Sequence, residues 1–180
     1  GGEILSFGIE SINQEGLDLL NKAWLKVEEH EDNLNALTKA GLVISSEMIV
    51  GTDGDTEQSI RETKNFIERN KIAIPRFYIL TPVPETELYN QMQKENRLVT
   101  EDWKLFDGSR CVHKPRLIEP EKLTQMNWCL KKQIFSFRSI IKRLILNPSL
   151  WKKPYMMIFS LVVNMNYRKY VLKKVTPNIF

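Results

Sequence analysis

The chain has 180 residues, of which 42% are apolar and 27% charged, with eight glycines and eight prolines; that composition excludes collagen-like, linker-like and disordered chains. Two cysteines, Cys111 and Cys129, and two histidines, His30 and His113, exclude a disulfide scaffold and a self-contained four-cysteine zinc or iron–sulfur site. The net charge of +4 is unevenly spread, because residues 121–180 hold 12 Lys and Arg against one acid, Glu121, and this predicts two regions with different surroundings.

Ile4-Leu5-Ser6-Phe7-Gly8-Ile9-Glu10 is an apolar run ending in a carboxylate and reads as a buried strand. Leu17, Leu20, Trp24 and Val27 follow at helical spacing, then Leu34, Leu37 and Ala40, with Gly41 as a C-terminal stop. Leu42 to Val50 reads as one strand with a polar middle. Gly51-Thr52-Asp53-Gly54-Asp55 is a turn, and Asp55 or Thr56 can cap the next helix. That helix carries Ile60, Thr63, Phe66 and Ile67 inward and ends near Asn70. The next strand runs from Ile74 to Leu80, with Pro75 at its start, where proline is tolerated.

Residues 4–84 therefore alternate strand and helix, and crossovers of this length predict a parallel sheet. In such sheets ligands sit beyond the C-terminal ends of the strands. That places a site at the loops carrying Glu10-Ser11, Gly51-Thr52-Asp53 and Thr81-Pro82.

After residue 84 the pattern becomes helical. Glu87 to Lys94 is one helix, Thr100 caps a turn through Trp103, and Asp107-Gly108 is a turn. Pro120 opens a helix at its first position. Leu123, Met126, Leu130, Ile134, Phe137, Ile141 and Leu144 then predict one long amphipathic helix, ended by Asn147-Pro148. A last apolar segment, Tyr155 to Val163, is flanked by Lys152, Lys153, Arg168, Lys169, Lys173 and Lys174. Three parallel strands leave an open edge, and the chain begins Gly1-Gly2 without Met. The expectation is the C-terminal part of something larger, or a chain that pairs with another.

An ordered set of segments resembles the radical S-adenosylmethionine enzymes, in the branch with an N-terminal cobalamin-binding domain. Phe7-Gly8-Ile9-Glu10-Ser11 resembles that family's fourth barrel strand, and Leu20-Asn21-Lys22 the helix after it. Ala40-Gly41-Leu42 and Met48 to Thr56 resemble the fifth strand and its glycine turn. Ile79-Leu80-Thr81-Pro82-Val83-Pro84 resembles the sixth. Asn96-Arg97-Leu98, Asp102-Trp103, Asp107-Gly108 and the long helix resemble the branch's C-terminal extension.

The resemblance implies an α/β fold: the last three β/α units of a partial parallel (β/α) barrel at 1–85, then a mainly helical, basic extension at 86–180. It implies S-adenosylmethionine and a [4Fe–4S] cluster as cofactors and, in this branch, cobalamin. The reaction implied is reductive cleavage of S-adenosylmethionine for radical methylation or rearrangement of a small-molecule or lipid-like substrate. Carried over by position, Glu10 would accept hydrogen bonds from a ribose diol or the methionyl ammonium, with Ser11 beside it. Lys22 would meet the methionyl carboxylate. Gly51 would let the backbone approach the adenine, and Val50 and Leu80 would line its face.

Three departures stand out. The three-cysteine cluster motif is absent and would lie upstream of Gly1, in the missing N-terminal half of the barrel. Glu85 stands where the family has a glycine. No cobalamin-binding histidine motif is present.

Plainer readings run beside these. Glu10 could cap a helix, Lys22 could be a solvated lysine, and the glycine turn a mere connection. Cys111 and Cys129 read as buried small hydrophobes, His113 as structural, His30 as exposed on a helix, and Trp103 as a packing anchor. A non-catalytic truncated-barrel scaffold is the alternative to an enzyme. A third reading, an unrelated lyase or hydrolase, would use Glu10, Asp53 and Asp55. The basic tail docks internally or contacts a membrane surface; no nucleic-acid motif accompanies its charge. The expected location is cytoplasmic, with a peripheral membrane contact through the tail.

Overall fold

The computed structural model describes residues 1–175. Residues 176–180, the end of the expected basic extension, lie outside the described residues. Strands β1 (Ile4–Glu10), β2 (Val43–Val50) and β3 (Ile74–Ile79) form one parallel sheet in the order β1-β2-β3. Helices α1 (Gln14–Leu19) and α2 (His30–Lys39) connect the first two strands, and α3 (Glu57–Arg69) the second and third. After β3 come α4 (Glu87–Lys94), α5 (Pro120–Ile134), α6 (Phe137–Ile145), α7 (Pro148–Trp151) and α8 (Pro154–Leu172). An α/β fold with a small parallel sheet and a helical extension is what the alternating pattern predicted.

The strand faces follow from register. Gly8 pairs with Glu47, and Glu47 with Arg76, so these residues share one face, which is polar. Arg76 pairs with Glu47 at 2.7 Å and donates to the Ser6 hydroxyl at 2.7 Å. The opposite face carries Ile9, Ile44, Met48, Val50, Phe77 and Ile79 into the main core. That core takes Ile60, Phe66 and Ile67 from α3, Leu123, Leu130 and Ile134 from α5, and Tyr167 and Val171 from α8. Residues on both sides of position 85 thus share one core. A second cluster, Val43, Ile74, Ile140, Leu144, Leu150 and Met156, packs α6, α7 and α8 under the N-terminal ends of the strands.

The α3 boundary was legible. Thr56 and Ser59 form a reciprocal capping box, and the four residues expected inward are all buried. Two helical expectations are corrected. The spacing from Leu17 to Val27 is not one helix: α1 stops at Leu19, Asn21 takes φ 57°, and Trp24 is exposed. A left-handed residue ends a helix whatever the apolar spacing beyond it. The long helix also breaks, into α5 and α6. Ser136 adopts an extended backbone and its hydroxyl accepts from Ser139 N, capping α6. Phe135 is buried and stacks on Phe77 and Tyr167, with ring centroids 6.5 and 5.4 Å away. The break rotates the apolar stripe, so Phe137 and Ile141 are exposed while Ile140 and Leu144 are buried.

Three smaller expectations are corrected as well. His30 is buried, Trp103 is exposed and packs as no anchor, and Cys129 is exposed while only Cys111 is buried. At the position where the family has glycine, Glu85 takes φ 70°, a conformation that glycine adopts without strain.

Candidate functional site

Because the strands are parallel and adjacent, their C-terminal ends bring Glu10-Ser11, Val50-Gly51 and Leu80 to one edge of the molecule. At the first of these ends the ladder slips by one residue between Gly8 and Glu10. Ile9 stays in the core and Glu10 takes φ 65°. Such an irregularity re-aims a side chain. Here it lays the Glu10 carboxylate over Gly8, so closely that a Cβ on Gly8 would stand 2.1 Å from Oε1. The Lys22 ammonium donates to the same Oε1. A left-handed glutamate is a strained backbone, held by its surroundings, and strain of this kind concentrates at functional sites.

Glu10 does not cap α1. Asn13 does so, its side chain accepting from Glu15 N at 3.1 Å. Ser11 is buried behind the strand end, where its hydroxyl accepts from Asn13 N at 3.0 Å. A Cβ on Gly16 would meet the Ser11 and Thr52 hydroxyls at 2.8 and 3.0 Å, so the loops after β1 and β2 are in close contact across Gly16.

The Gly51–Asp55 turn is organised by Asp55. Its Oδ2 accepts from Gly51 N, Thr52 N and the Thr52 hydroxyl at 2.8, 2.9 and 3.0 Å, and its Oδ1 from the Ser59 hydroxyl at 3.0 Å. Asp53 is equally committed. Arg97 grips it bidentately and Arg116 adds its backbone N–H and its Nε, both at 3.2 Å. Asp53 raises the Arg97 guanidinium further above its usual range. Neither aspartate therefore has a free oxygen for the acid–base or metal role of the third sequence reading, and Glu10 is left without them.

Gly51 has φ 88°, and a Cβ there would stand 2.4 Å from Leu123 Cδ2. The bare Cα of Gly51 is thus used by α5. Val50 points into the main core, so its contribution at this edge is its carbonyl, which accepts from Leu80 N at 2.8 Å. Leu80 lines a small cleft with Leu20, Thr52, Asp53, Met92 and Arg97. The structure brings Glu10 and Lys22 together in direct contact, and Val50, Gly51 and Leu80 on neighbouring strand ends; Ser11 is behind them.

Of the two histidines, His113 is structural as expected, whereas His30 was expected on an exposed helix face. Each is buried, and each ties down a loop carbonyl at this edge: His30 Nε2 lies 3.2 Å from Ser11 O, and His113 Nε2 lies 3.0 Å from Gly51 O. Burial pulls both imidazoles below their ordinary pKa, so they act as neutral donors. The Cys111 thiol donates to His113 O at 3.0 Å, and burial pushes it up to about 11. No local motif marked these residues; His30 lies among Glu28, Glu29, Glu31 and Asp32, a run that reads as a solvated face. Among the described residues no group of three His, Cys, Asp or Glu side chains could hold a metal ion.

No protein-family model matches the chain. Among curated proteins it is similar to bacteriochlorophyllide d C-12(1)-methyltransferase of Chlorobaculum tepidum, 31% identical over 151 residues, covering 84% of this chain and 33% of that protein. It is similar to bacteriochlorophyllide d C-8(2)-methyltransferase of the same organism, 26% identical over 165 residues, covering 91% and 35%. It is also similar to the hopanoid C-2 methylase of Rhodopseudomonas palustris, 27% identical over 95 residues, covering 53% and 18%. The chain spans about a third of the length of the first two relatives.

Proposed function

Because the chain belongs to the radical S-adenosylmethionine superfamily, in the branch associated with cobalamin, we propose that it serves a methyl-transfer enzyme as the C-terminal half of its (β/α) barrel, with the helical extension from residue 86 closing that half. The observation that carries this reading is the Glu10–Lys22 pair at the end of β1, with Glu10 held left-handed over Gly8.

The chemistry of that pair fits S-adenosylmethionine. A carboxylate accepts from an ammonium or a ribose diol, and an ammonium donates to a carboxylate. Glu10 and Lys22 meet each other in the structure and are both partly exposed, so ligand groups can share or replace the contact. Leu80 lines a cleft with Leu20 and Thr52 at the same edge, and Gly51 and Thr52 are held in place by Asp55 and His113. The cofactor, bound next to a [4Fe–4S] cluster, would supply the radical chemistry. What these residues do is bind and orient it.

The cysteines of this chain do not fit the cluster. Cys111 is a buried thiol held protonated, Cys129 is exposed on α5, and two cysteines are one short of the three a cluster of this kind takes. We assign the cluster ligands, and any cobalamin site, to polypeptide outside these 180 residues. The relatives' names identify a bacteriochlorophyllide and a hopanoid as their substrates, and we assign a large lipid-like ring compound to this chain as well.

The test is methyl transfer by the full-length protein, purified without oxygen and loaded with iron and sulfide. Incubation with methyl-labelled S-adenosylmethionine and a candidate ring substrate should label the substrate. Gly8→Ala, which must push the Glu10 carboxylate aside, should lower that rate about ten-fold or more, as expected for loss of a charge-assisted contact. Absence of iron and sulfide after reconstitution, with no consumption of S-adenosylmethionine, would overturn the reading in favour of a scaffold.

A further inference from the structure

Helix α8 is apolar on its outward face as well as its inward one, where Met156, Tyr167 and Val171 are buried. The residues it buries include Ser160, Asn164 and Tyr167, while Ile158, Phe159, Leu161, Val162 and Met165 are exposed. Ile158 and Val162 are 63% and 61% exposed. Soluble helices put their apolar stripe against the core, so the outward face of α8 is built for a second apolar environment. The same holds next to it. Helix α6 packs on α8 and leaves Phe137, Ile141 and Ile145 exposed, and Trp151 follows, 68% exposed, with its indole N–H donating to Ile145 O. Exposed apolar patches of this extent mark interaction surfaces.

We propose that the outward faces of α6 and α8, together with Trp151, form a docking surface for an anionic lipid bilayer. Charge decides between the occupants. Residues 121–180 hold 12 bases and one acid, and among the described residues no acid pairs with Lys152, Lys169 or Lys173. A second copy docked through this face would set two cationic rims against each other. A leaflet of anionic headgroups neutralises such a rim, and its acyl boundary accepts the apolar stripe between the lysines. Trp151 and Tyr155 expose aromatic rings at this face while their polar tips are held by Ile145 O and the Glu3 carboxylate, and such rings suit the boundary between headgroups and acyl chains.

The surface lies on the bilayer and does not span it, since among the described residues no helix is long and apolar enough to cross a membrane. It is also placed so that docking leaves the candidate site free. Helices α6 and α7 and the first turns of α8 sit under the N-terminal ends of the strands, where Asn147 donates to Lys71 O at 2.8 Å and the Ser149 hydroxyl to Thr38 O at 2.8 Å. Glu10, Gly51 and Leu80 are at the opposite ends.

The experiment is sedimentation of the full-length protein with vesicles of phosphatidylcholine, with or without phosphatidylglycerol, at low and high salt. The expected result is binding only when phosphatidylglycerol is present, weakened several-fold by salt. Ile158→Glu with Val162→Glu should cut partitioning about ten-fold or more, and Lys152→Gln with Lys169→Gln and Lys173→Gln should abolish the lipid preference. These positions are exposed, and an unchanged melting temperature verifies that each variant is folded. Protein that stays in the supernatant with every vesicle overturns the proposal. So does binding that ignores both sets of substitutions, or a dimer that dissociates on Ile158→Glu, which would assign the face to a second copy.

Discussion

The two ends of the sheet are held in opposite ways. At the N-terminal ends of the strands the central group is Arg143, fully buried on α6. It donates to Ile72 O, Ala73 O, Ile134 O and Asn164 Oδ1 at 2.7 to 3.1 Å. Among the described residues no carboxylate pairs with it; carbonyl dipoles from the loop before β3 and the end of α5, the Asn164 side chain and the more distant charge of Glu68 stabilise it. Burial lowers its pKa to about 10, still well above neutrality. At the C-terminal ends the charges are paired carboxylates and cations with partial access to solvent, Glu10 with Lys22 and Asp53 with Arg97. A buried cation bound only by backbone and amide oxygens cannot exchange partners, so it fixes geometry. A partly exposed ion pair can exchange, and that is what a binding edge requires.

Substitutions can break this contrast. The largest effect falls on the fixed end. Arg143→Met strips the loop before β3 of its clamp and removes the donor from Ile72 O, Ile134 O and Asn164 Oδ1, while Ala73 O keeps the Asn164 amide at 2.9 Å; a loss of about 3–5 kcal/mol is expected, or a melting temperature lower by on the order of 10 °C. Arg143→Lys should not restore it, because one ammonium cannot reach four acceptors. Next is the contact between α5 and the glycine turn. Gly51→Ala strains a backbone at φ 88° and collides with Leu123, while Leu123→Ala opens a cavity at about 2–5 kcal/mol. The double variant should lose less than the two singles together, a coupling measurable by denaturant unfolding.

Lys131 sharpens the comparison from another direction. Its ammonium is buried without a hydrogen-bond partner, 4.8 Å from the Trp128 ring centroid, and burial lowers it to about 8. The folded pKa lies below the unfolded one, so the unfolded chain binds more protons between them. Stability therefore rises with pH from about 8 towards the unfolded value of about 10.4. Lys131→Met should stabilise the protein at pH 7 by about 1–3 kcal/mol, with the gain shrinking in alkaline buffer. The histidines obey the same sign. His30 and His113 are held below their unfolded value, so stability is complete above about pH 6.5 and declines as pH falls below it. His113→Gln should flatten that decline in thermal melts. The smallest effect is at Glu85: Glu85→Gly relieves a left-handed backbone and should change stability by about 1 kcal/mol or less.

The fold was legible where one local signal ruled. The strand–helix alternation, the Thr56 cap and the Pro120 start depend on residues a few positions apart. The breaks at Asn21 and Ser136 were not legible, because apolar spacing continues through both while a left-handed residue or a capping hydroxyl stops the helix. At the candidate site, Glu10 and Lys22 could be named from their place in an ordered resemblance. The slip of the ladder at Gly8, which puts the carboxylate where it is, depends on strand pairing across more than 30 residues. His30, Arg97 and His113 hold the loops through contacts 19, 44 and 62 residues away in sequence, and no spacing rule reaches that far.

The most direct measurement is the affinity of the anaerobically reconstituted full-length protein for S-adenosylmethionine, by equilibrium dialysis, for the wild type, Glu10→Gln and Lys22→Met. Thermal melts without ligand are run in parallel. The account predicts that both variants melt close to the wild type, since their charges are partly exposed, and that Glu10→Gln binds about ten-fold or more weakly, the loss of a charge-assisted hydrogen bond. Equal affinity in a folded Glu10→Gln protein would contradict it: the re-aimed carboxylate at the end of β1 would then be a structural ion pair, and the exchangeable end of the sheet would have to be sought elsewhere.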